Sequence, residues 1–298
     1  MQNIKKNNSR RSALKKIAAT TIIAFTARSM KANSLAAGLV EEEQLKGRIN
    51  HSACRWCYSS IDLEEFCVKA KETGLKAIDL VGPQEWPVLK RHNLDSSMCN
   101  GAEIDIARGW NDTQYHATLV KNYSEMLPLV AKAGYTNLIC LSGNRDGKDE
   151  ETGLQNCVEG LKKIIGLAEK NNVMLVMELL NSKIDHKDYQ CDRTAWGVEL
   201  VKRMGSENFR LLYDIYHMQI MEGDVIRTIR DNHQYIAHYH TGGVPGRNEP
   251  DETQELNYPA IMRAIAETGF KGYVAQEFVP SREDKIGSLK QAVRICDV

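Results

Sequence analysis

Four polar residues in the second half of the chain lie at or just after the ends of apolar runs. They are Glu178, Asp214, His240 and Glu277. Three carboxylates that converge in apolar surroundings repel one another and lose their hydration, so they need a cation nearby. Three oxygens and one imidazole suit one divalent ion such as Mn²⁺, Mg²⁺ or Co²⁺. The four residues therefore predict a single metal site, although for each carboxylate taken alone a surface salt bridge is the simpler interpretation.

The apolar runs before these residues belong to a regular series of predicted elements. After Gly47, short apolar runs alternate with longer segments of helical period, as when parallel strands are each followed by a covering helix. The predicted strands are 49–53, 77–81, 95–99, 137–141, 173–177, 209–213, 235–239 and 272–275. The predicted helices are 63–72, 85–91, 114–133, 150–171, 194–204, 224–231, 258–267 and 282–295.

This alternation predicts an α/β fold with a single (β/α)8 barrel over residues 48–298. No Pro-rich or Ser-rich linker divides the series, which favours one barrel over two domains, although an open doubly wound sheet would alternate similarly. In a barrel, the four polar residues would lie at neighbouring strand ends on the C-terminal face, where barrel enzymes carry their sites.

The N-terminal residues predict an export signal rather than part of the barrel. Ser9-Arg-Arg-Ser-Ala-Leu-Lys-Lys16 precedes an uncharged stretch over 17–27 and the small-residue region Ser34-Leu-Ala36. The pattern is typical of a twin-arginine signal over 1–36, followed by a linker over 37–47, and it predicts a periplasmic protein. Because the apolar stretch is shorter than the roughly twenty residues that span a bilayer, no stable membrane anchor is expected. A basic, frayed amphipathic N-terminus is the alternative interpretation.

The charge balance and the cysteines narrow the classes of function. Lysine plus arginine and aspartate plus glutamate both total 39, so no net field attracts a polyanion and no nucleic acid partner is expected. The predicted partner is a small molecule, and the sequence leaves open whether the protein forms a homo-oligomer. The eight cysteines are scattered, which favours buried thiols over a disulfide framework. Cys54 and Cys57 have redox-motif spacing but lack a thioredoxin-like context.

Several motifs carry a resemblance to a known family. Glu178-Leu-Leu-Asn181, Tyr213-Asp-Ile-Tyr-His-Met-Gln219, Val244-Pro-Gly-Arg-Asn-Glu-Pro250, Leu256-Asn-Tyr258 and Glu277 resemble the hydroxypyruvate isomerase family. That family belongs to the xylose isomerase-like TIM-barrel superfamily, which also contains ketose 3-epimerases and inosose dehydratases. The resemblance covers about residues 48 to 298 and is strongest after residue 173.

The resemblance implies roles for six residues. Glu178, Asp214, His240 and Glu277 would hold the metal, His217 and Arg247 would contact substrate oxygens, and Glu178 with Glu277 would supply acid-base chemistry. The implied reaction removes a proton next to a carbonyl to form an enediolate. Hydroxypyruvate isomerases tend to have glutamine in place of His240, whereas ketose epimerases have histidine, so the resemblance leaves the substrate open between the two.

Four alternatives to a hydroxypyruvate isomerase remain open. They are a ketose 3-epimerase, an inosose-type dehydratase, a non-catalytic sugar-binding barrel, and an abasic-site endonuclease, which normally needs three zinc ions and further histidines. Of the remaining polar and aromatic residues, His238 is expected to pack inside the barrel. His51 and Trp56 are expected to pack in the core or at the rim of the mouth.

Overall fold

The structure, a computed structural model, describes residues 44–298. In this part of the chain, eight parallel strands pair in sequence order, and the last strand pairs with the first to close a barrel. The strands are β1 (Asn50–Cys54), β2 (Ala77–Val81), β3 (Asp95–Cys99), β4 (Asn137–Cys140), β5 (Met174–Glu178), β6 (Phe209–Asp214), β7 (Ile236–Thr241) and β8 (Tyr273–Gln276). The predicted (β/α)8 barrel is confirmed, and every predicted strand overlaps an observed one.

Helices cover the outside of the barrel between the strands. They are α1 (Leu63–Glu72), α2 (Trp86–Arg91), α3 (His116–Ala133), α4 (Glu150–Leu161), α5 (Ile165–Asn171), α6 (Thr194–Met204), α7 (Ile215–Met221), α8 (Val225–Asn232), α9 (Tyr258–Glu267) and α10 (Lys285–Cys296). Three of them, α1, α6 and α9, have the bounds that the sequence predicted. Their apolar residues face the strands and form one continuous core.

Two helical segments differ from the sequence prediction. The predicted helix over 150–171 is wrong as a single helix, because the chain tightens into i→i+3 hydrogen bonds at Lys163 and Ile164 and divides it into α4 and α5. This tightening places the Ile164 side chain in the core. The short helix α7 was not predicted. It begins directly after β6, and the Asp214 carboxylate caps it by accepting the backbone N–H of His217 at 3.1 Å.

The predicted signal over 1–36 and most of the predicted linker over 37–47 lie outside the described residues, so both stay predictions. At the start of the described part, Leu45 packs against the core, and the backbone N–H of Lys46 donates to Asp297 at 2.7 Å. Within residues 44–298, no helix has both the length and the apolar character that crossing a membrane requires. All eight cysteines are buried free thiols, as predicted.

Candidate metal centre

The four predicted metal ligands converge at the C-terminal ends of the last four strands. Glu178 and Asp214 end β5 and β6, His240 lies near the end of β7 opposite Asp214, and Glu277 follows β8 directly. One ligand atom from each residue lies within 4.8 Å of the others, and all four side chains are buried. The Nδ1 atom of His240 lies 2.9 Å from Glu277 Oε2, 3.3 Å from Glu178 Oε1 and 3.9 Å from Asp214 Oδ2. We call these four residues the acidic cluster.

The donor set of the acidic cluster fits a divalent cation. Asp214 Oδ2 is buried without a hydrogen-bond partner. Burial raises the pKa of Asp214 well above its usual value, and the charge of Glu277 raises it further. Burial and the same neighbouring charge also raise the pKa of Glu178. A cation at this point would offset the repulsion and accept the free Asp214 oxygen as a ligand.

Glu277 is the carboxylate of the cluster with the most partners. Its Oε1 atom accepts the indole N–H of Trp56 at 2.8 Å, and its Oε2 atom lies 2.6 Å from Arg247 Nη2. Burial alone would raise the pKa of Glu277, but the charges of His240 and Arg247 hold that pKa well below its usual range. The carboxylate is therefore fixed in position and held ionised.

Arg247, for which the resemblance implies a substrate contact, lies beside the acidic cluster. Its guanidinium is stacked between the rings of Trp56 and Tyr216, at 5.2 and 5.3 Å from their centroids. Besides Glu277, its Nη2 atom lies 3.6 Å from Asp214 Oδ2. Its positive charge is therefore shared with two carboxylates of the cluster.

His217 presents a hydrogen-bond donor next to the cluster. Its Nδ1 atom accepts the backbone N–H of Asn181 at 3.1 Å and lies 2.6 Å from the Asn181 side-chain nitrogen. Burial, followed by the charge of Arg247, lowers the pKa of His217 well below its usual value, so the ring is neutral. Two donors at Nδ1 assign the ring proton to Nε2. That buried atom has no hydrogen-bond partner and lies 3.6 Å from Asp214 Oδ2.

The structure adds two contacts that the sequence reasoning missed. Asp79, in the middle of β2, lies 3.0 Å from the Nε2 atom of His240. Trp56, which was expected only to pack, donates to Glu277 as described above. The sequence feature that could have identified Asp79 as a functional residue is its position as a carboxylate inside the apolar run over 77–81. His238 points into the barrel as predicted and also lies near Asp79, whereas His51 lies 3.8 Å from Asp297.

A cavity of about 350 Å³ opens next to the acidic cluster. Glu178, Glu277 and Arg247 lie in its wall, so the cluster is accessible to a small molecule. The rest of its lining is mostly apolar, with three further polar side chains. The apolar residues are Trp56, Leu80, Ile106, Ile139, Leu141 and Leu180, and the polar ones are Asn100, Glu103 and His186. An apolar cavity with a few convergent polar groups is typical of a small-molecule site.

Comparisons with known proteins agree with this architecture. The model of a family described as xylose isomerase-like TIM barrel matches residues 68–296. Hydroxypyruvate isomerase of Escherichia coli strain K12 is 26% identical over 74% of this chain and 88% of its own. The 2-oxo-tetronate isomerase of Cupriavidus necator is 32% identical over 41% of this chain, and the match spans less than half of that relative, 46%. The crystal structure of an AP endonuclease, family 2, from Brucella melitensis is 25% identical with a TM-score of 0.75, covering 83% of this chain and 99% of that one.

Proposed function

The chain belongs to the xylose isomerase-like TIM barrel family, and from this premise we propose that it is a divalent-metal-dependent isomerase of a small hydroxy-carbonyl compound. The observation that carries the proposal is the convergence of Glu178, Asp214, His240 and Glu277 at one point beside a small-molecule cavity. The names of the two isomerase relatives support the same class of reaction.

Each residue of the site has a task in an enediolate reaction. Glu178, Asp214, His240 and Glu277 would hold the metal. When bound, the ion would polarise the substrate carbonyl and offset the negative charge that develops there. Glu178 and Glu277 both face the cavity, so one can remove a proton next to the carbonyl and the other can return one. The apolar lining limits the access of water to the enediolate.

Epimerisation of a free ketose is the second candidate function, and the charge of the cavity favours it. Arg247 is the only lysine or arginine among the described residues that line the cavity, and it is already paired with Glu277. The carboxylate of an α-keto acid would therefore find no uncommitted cation in this lining, whereas an uncharged ketose needs none. A cavity of about 350 Å³ also has room for a five- or six-carbon sugar.

Proton exchange with solvent tests the proposal directly. The metal-loaded protein is incubated in deuterated water with hydroxypyruvate or with free ketoses, and NMR follows deuterium next to the carbonyl. We expect incorporation that a chelator abolishes and that added Mn²⁺, Mg²⁺ or Co²⁺ restores. The structure of the product distinguishes isomerisation from epimerisation. Binding of these compounds without any exchange would identify a non-catalytic sugar-binding barrel and contradict the proposal.

The orientation of His217 predicts a measurable effect on turnover. Substitution His217→Leu removes the Nε2–H donor, and we expect kcat/KM to fall about a hundredfold, as when one preorganised donor to a developing oxyanion is lost. The matched variant His217→Gln keeps an N–H group on a side chain of similar reach and should recover part of the loss. Because His217 is outside the acidic cluster, metal affinity should not change. If both variants lost metal affinity to the same extent, the fall in kcat/KM would come from damage to the metal site. That result would contradict a role of His217 in substrate binding.

A further inference from the structure

We propose that Asp79 is a positioning residue that fixes the tautomer and orientation of His240, so that the Nδ1 lone pair of His240 is free to bind the metal. Asp79 lies on the opposite side of the imidazole from the acidic cluster. The inference rests on the proposed metal site and extends it to a residue outside the predicted ligand set.

The Asp79 carboxylate is held on both of its oxygens. Oδ1 lies 3.0 Å from His240 Nε2 and accepts a weak hydrogen bond from the Cys54 thiol at 3.4 Å. Oδ2 accepts the Ser97 hydroxyl at 2.5 Å and lies 2.9 Å from His238 Nε2. Asp79, Cys54, His238 and His240 are fully buried, and Ser97 is nearly so. Because groups from three other strands fix the carboxylate, its Oδ1 atom stays aimed at His240.

His240 binds a metal only in its neutral form, which carries a single ring proton, and two carboxylates compete for that proton. Asp79 Oδ1 would accept it from Nε2, and Glu277 Oε2, 2.9 Å from Nδ1, would accept it there. A proton on Nδ1 would occupy the lone pair that faces the acidic cluster and prevent metal binding through that atom. Asp79 favours the proton on Nε2, the usual arrangement in which a carboxylate orients a metal-binding histidine.

The backbone of β2 is irregular at the point where it supplies Asp79. The register with β3 shifts on both sides of Asp79, and Leu80 has a φ of 53° in the left-handed region. Successive side chains of a regular strand point to opposite faces. Here Asp79 points into the barrel while Leu80 lines the cavity, so the irregularity turns two consecutive side chains toward the site.

Metal affinity of the purified protein tests the role of Asp79. In Asp79→Asn the side chain keeps its shape, but its amide can donate to Nε2 and favour the wrong tautomer. We expect the dissociation constant for Mn²⁺, measured by competition with a chelating dye, to rise about 10- to 100-fold. The control Tyr123→Phe removes another buried hydrogen bond, to the Ile139 carbonyl, and should lower stability without changing metal affinity.

A second measurement keeps the inference falsifiable if Asp79→Asn does not fold. In wild type loaded with Mg²⁺ and carrying ¹⁵N-labelled histidine, imidazole shifts should report a proton on Nε2 of His240 and none on Nδ1, assigned by comparison with His240→Gln. A proton on Nδ1 overturns the inference, as does wild-type metal affinity in a folded Asp79→Asn variant. If the wild type binds no divalent metal, the proposed function fails and the inference fails with it. If the wild type binds the metal and Asp79→Asn binds it equally well, the inference about Asp79 fails and the proposed function stands.

Discussion

Substitution Glu277→Gln is expected to reduce the rate of solvent deuterium exchange about a thousandfold, even with metal at saturating concentration. A positioned acid-base group contributes about a hundred- to ten-thousandfold to turnover, and the amide cannot remove a proton. The two oxygens of Glu277 also accept from Trp56 and Arg247, and an amide can satisfy only one of these donors. The measurement is single-turnover exchange in deuterated water, with the bound metal quantified in the same sample.

Two further variants separate chemistry from structural damage. Glu178→Gln alters the other carboxylate of the acidic cluster that faces the cavity, and we expect the rate of deuterium exchange to fall by a similar factor. Glu249→Gln is the control, because Glu249 and Glu277 are each 3% exposed. Glu249 accepts hydrogen bonds from Ser281 and Ser288 and is outside the acidic cluster, so its variant should lose stability but keep most of its exchange rate. Wild-type exchange in a metal-loaded Glu277→Gln variant would remove Glu277 from the acid-base role.

The sequence predicts the acidic cluster well because its members are at strand ends. In a parallel barrel the carboxyl ends of all strands meet on one face, so position along the chain determines position in space. Glu178, Asp214 and Glu277 could therefore be placed together without knowledge of any loop. The same reasoning predicts the barrel, since eight alternating units leave few arrangements that bury each strand.

Asp79, Trp56 and α7 could not be predicted in the same way. Asp79 reaches His240 across the interior of the barrel, and only the irregularity at Leu80 gives the strand this local geometry. The indole N–H of Trp56, just after β1, donates to Glu277, just after β8, where these two strands pair to close the barrel. The sequence around either residue does not show this contact. The helix α7 follows β6 without a loop and is too short for its period to be distinguished from the end of a strand.

Substitution Asp214→Asn is expected to stabilise the metal-free protein while removing its response to metal. The new side chain would keep the cap on α7, because an amide oxygen can accept the His217 N–H as Oδ1 does. It would also remove the buried carboxylate whose charge repels that of Glu277. We expect a gain of about 1 to 3 kcal/mol in the free energy of unfolding of the metal-free protein at neutral pH.

The gain should depend on pH with a defined sign. Burial raises the pKa of Asp214 in the folded state above its value near 4 in an unfolded chain. The folded state therefore binds the proton more tightly, which adds stability at low pH that is lost as the pH rises from about 4 toward the folded pKa. Denaturant unfolding in chelator should show the two proteins diverging as pH rises, with the wild type falling below Asp214→Asn.

Metal should then reverse the order of the two stabilities. A ligand at a thousand times its dissociation constant stabilises the folded state by about 4.1 kcal/mol, which exceeds the expected advantage of the variant, and the variant, with a ligand oxygen lost, should gain little of this. The control Asp192→Asn removes a buried aspartate that pairs with Arg145 at 2.9 Å, so it should destabilise the protein with or without metal. If Asp214→Asn instead resembles this control, Asp214 serves the structure of the barrel. A reversal on metal addition would show that Asp214 stabilises the protein through the bound ion, whereas without the ion its buried carboxylate lowers the stability.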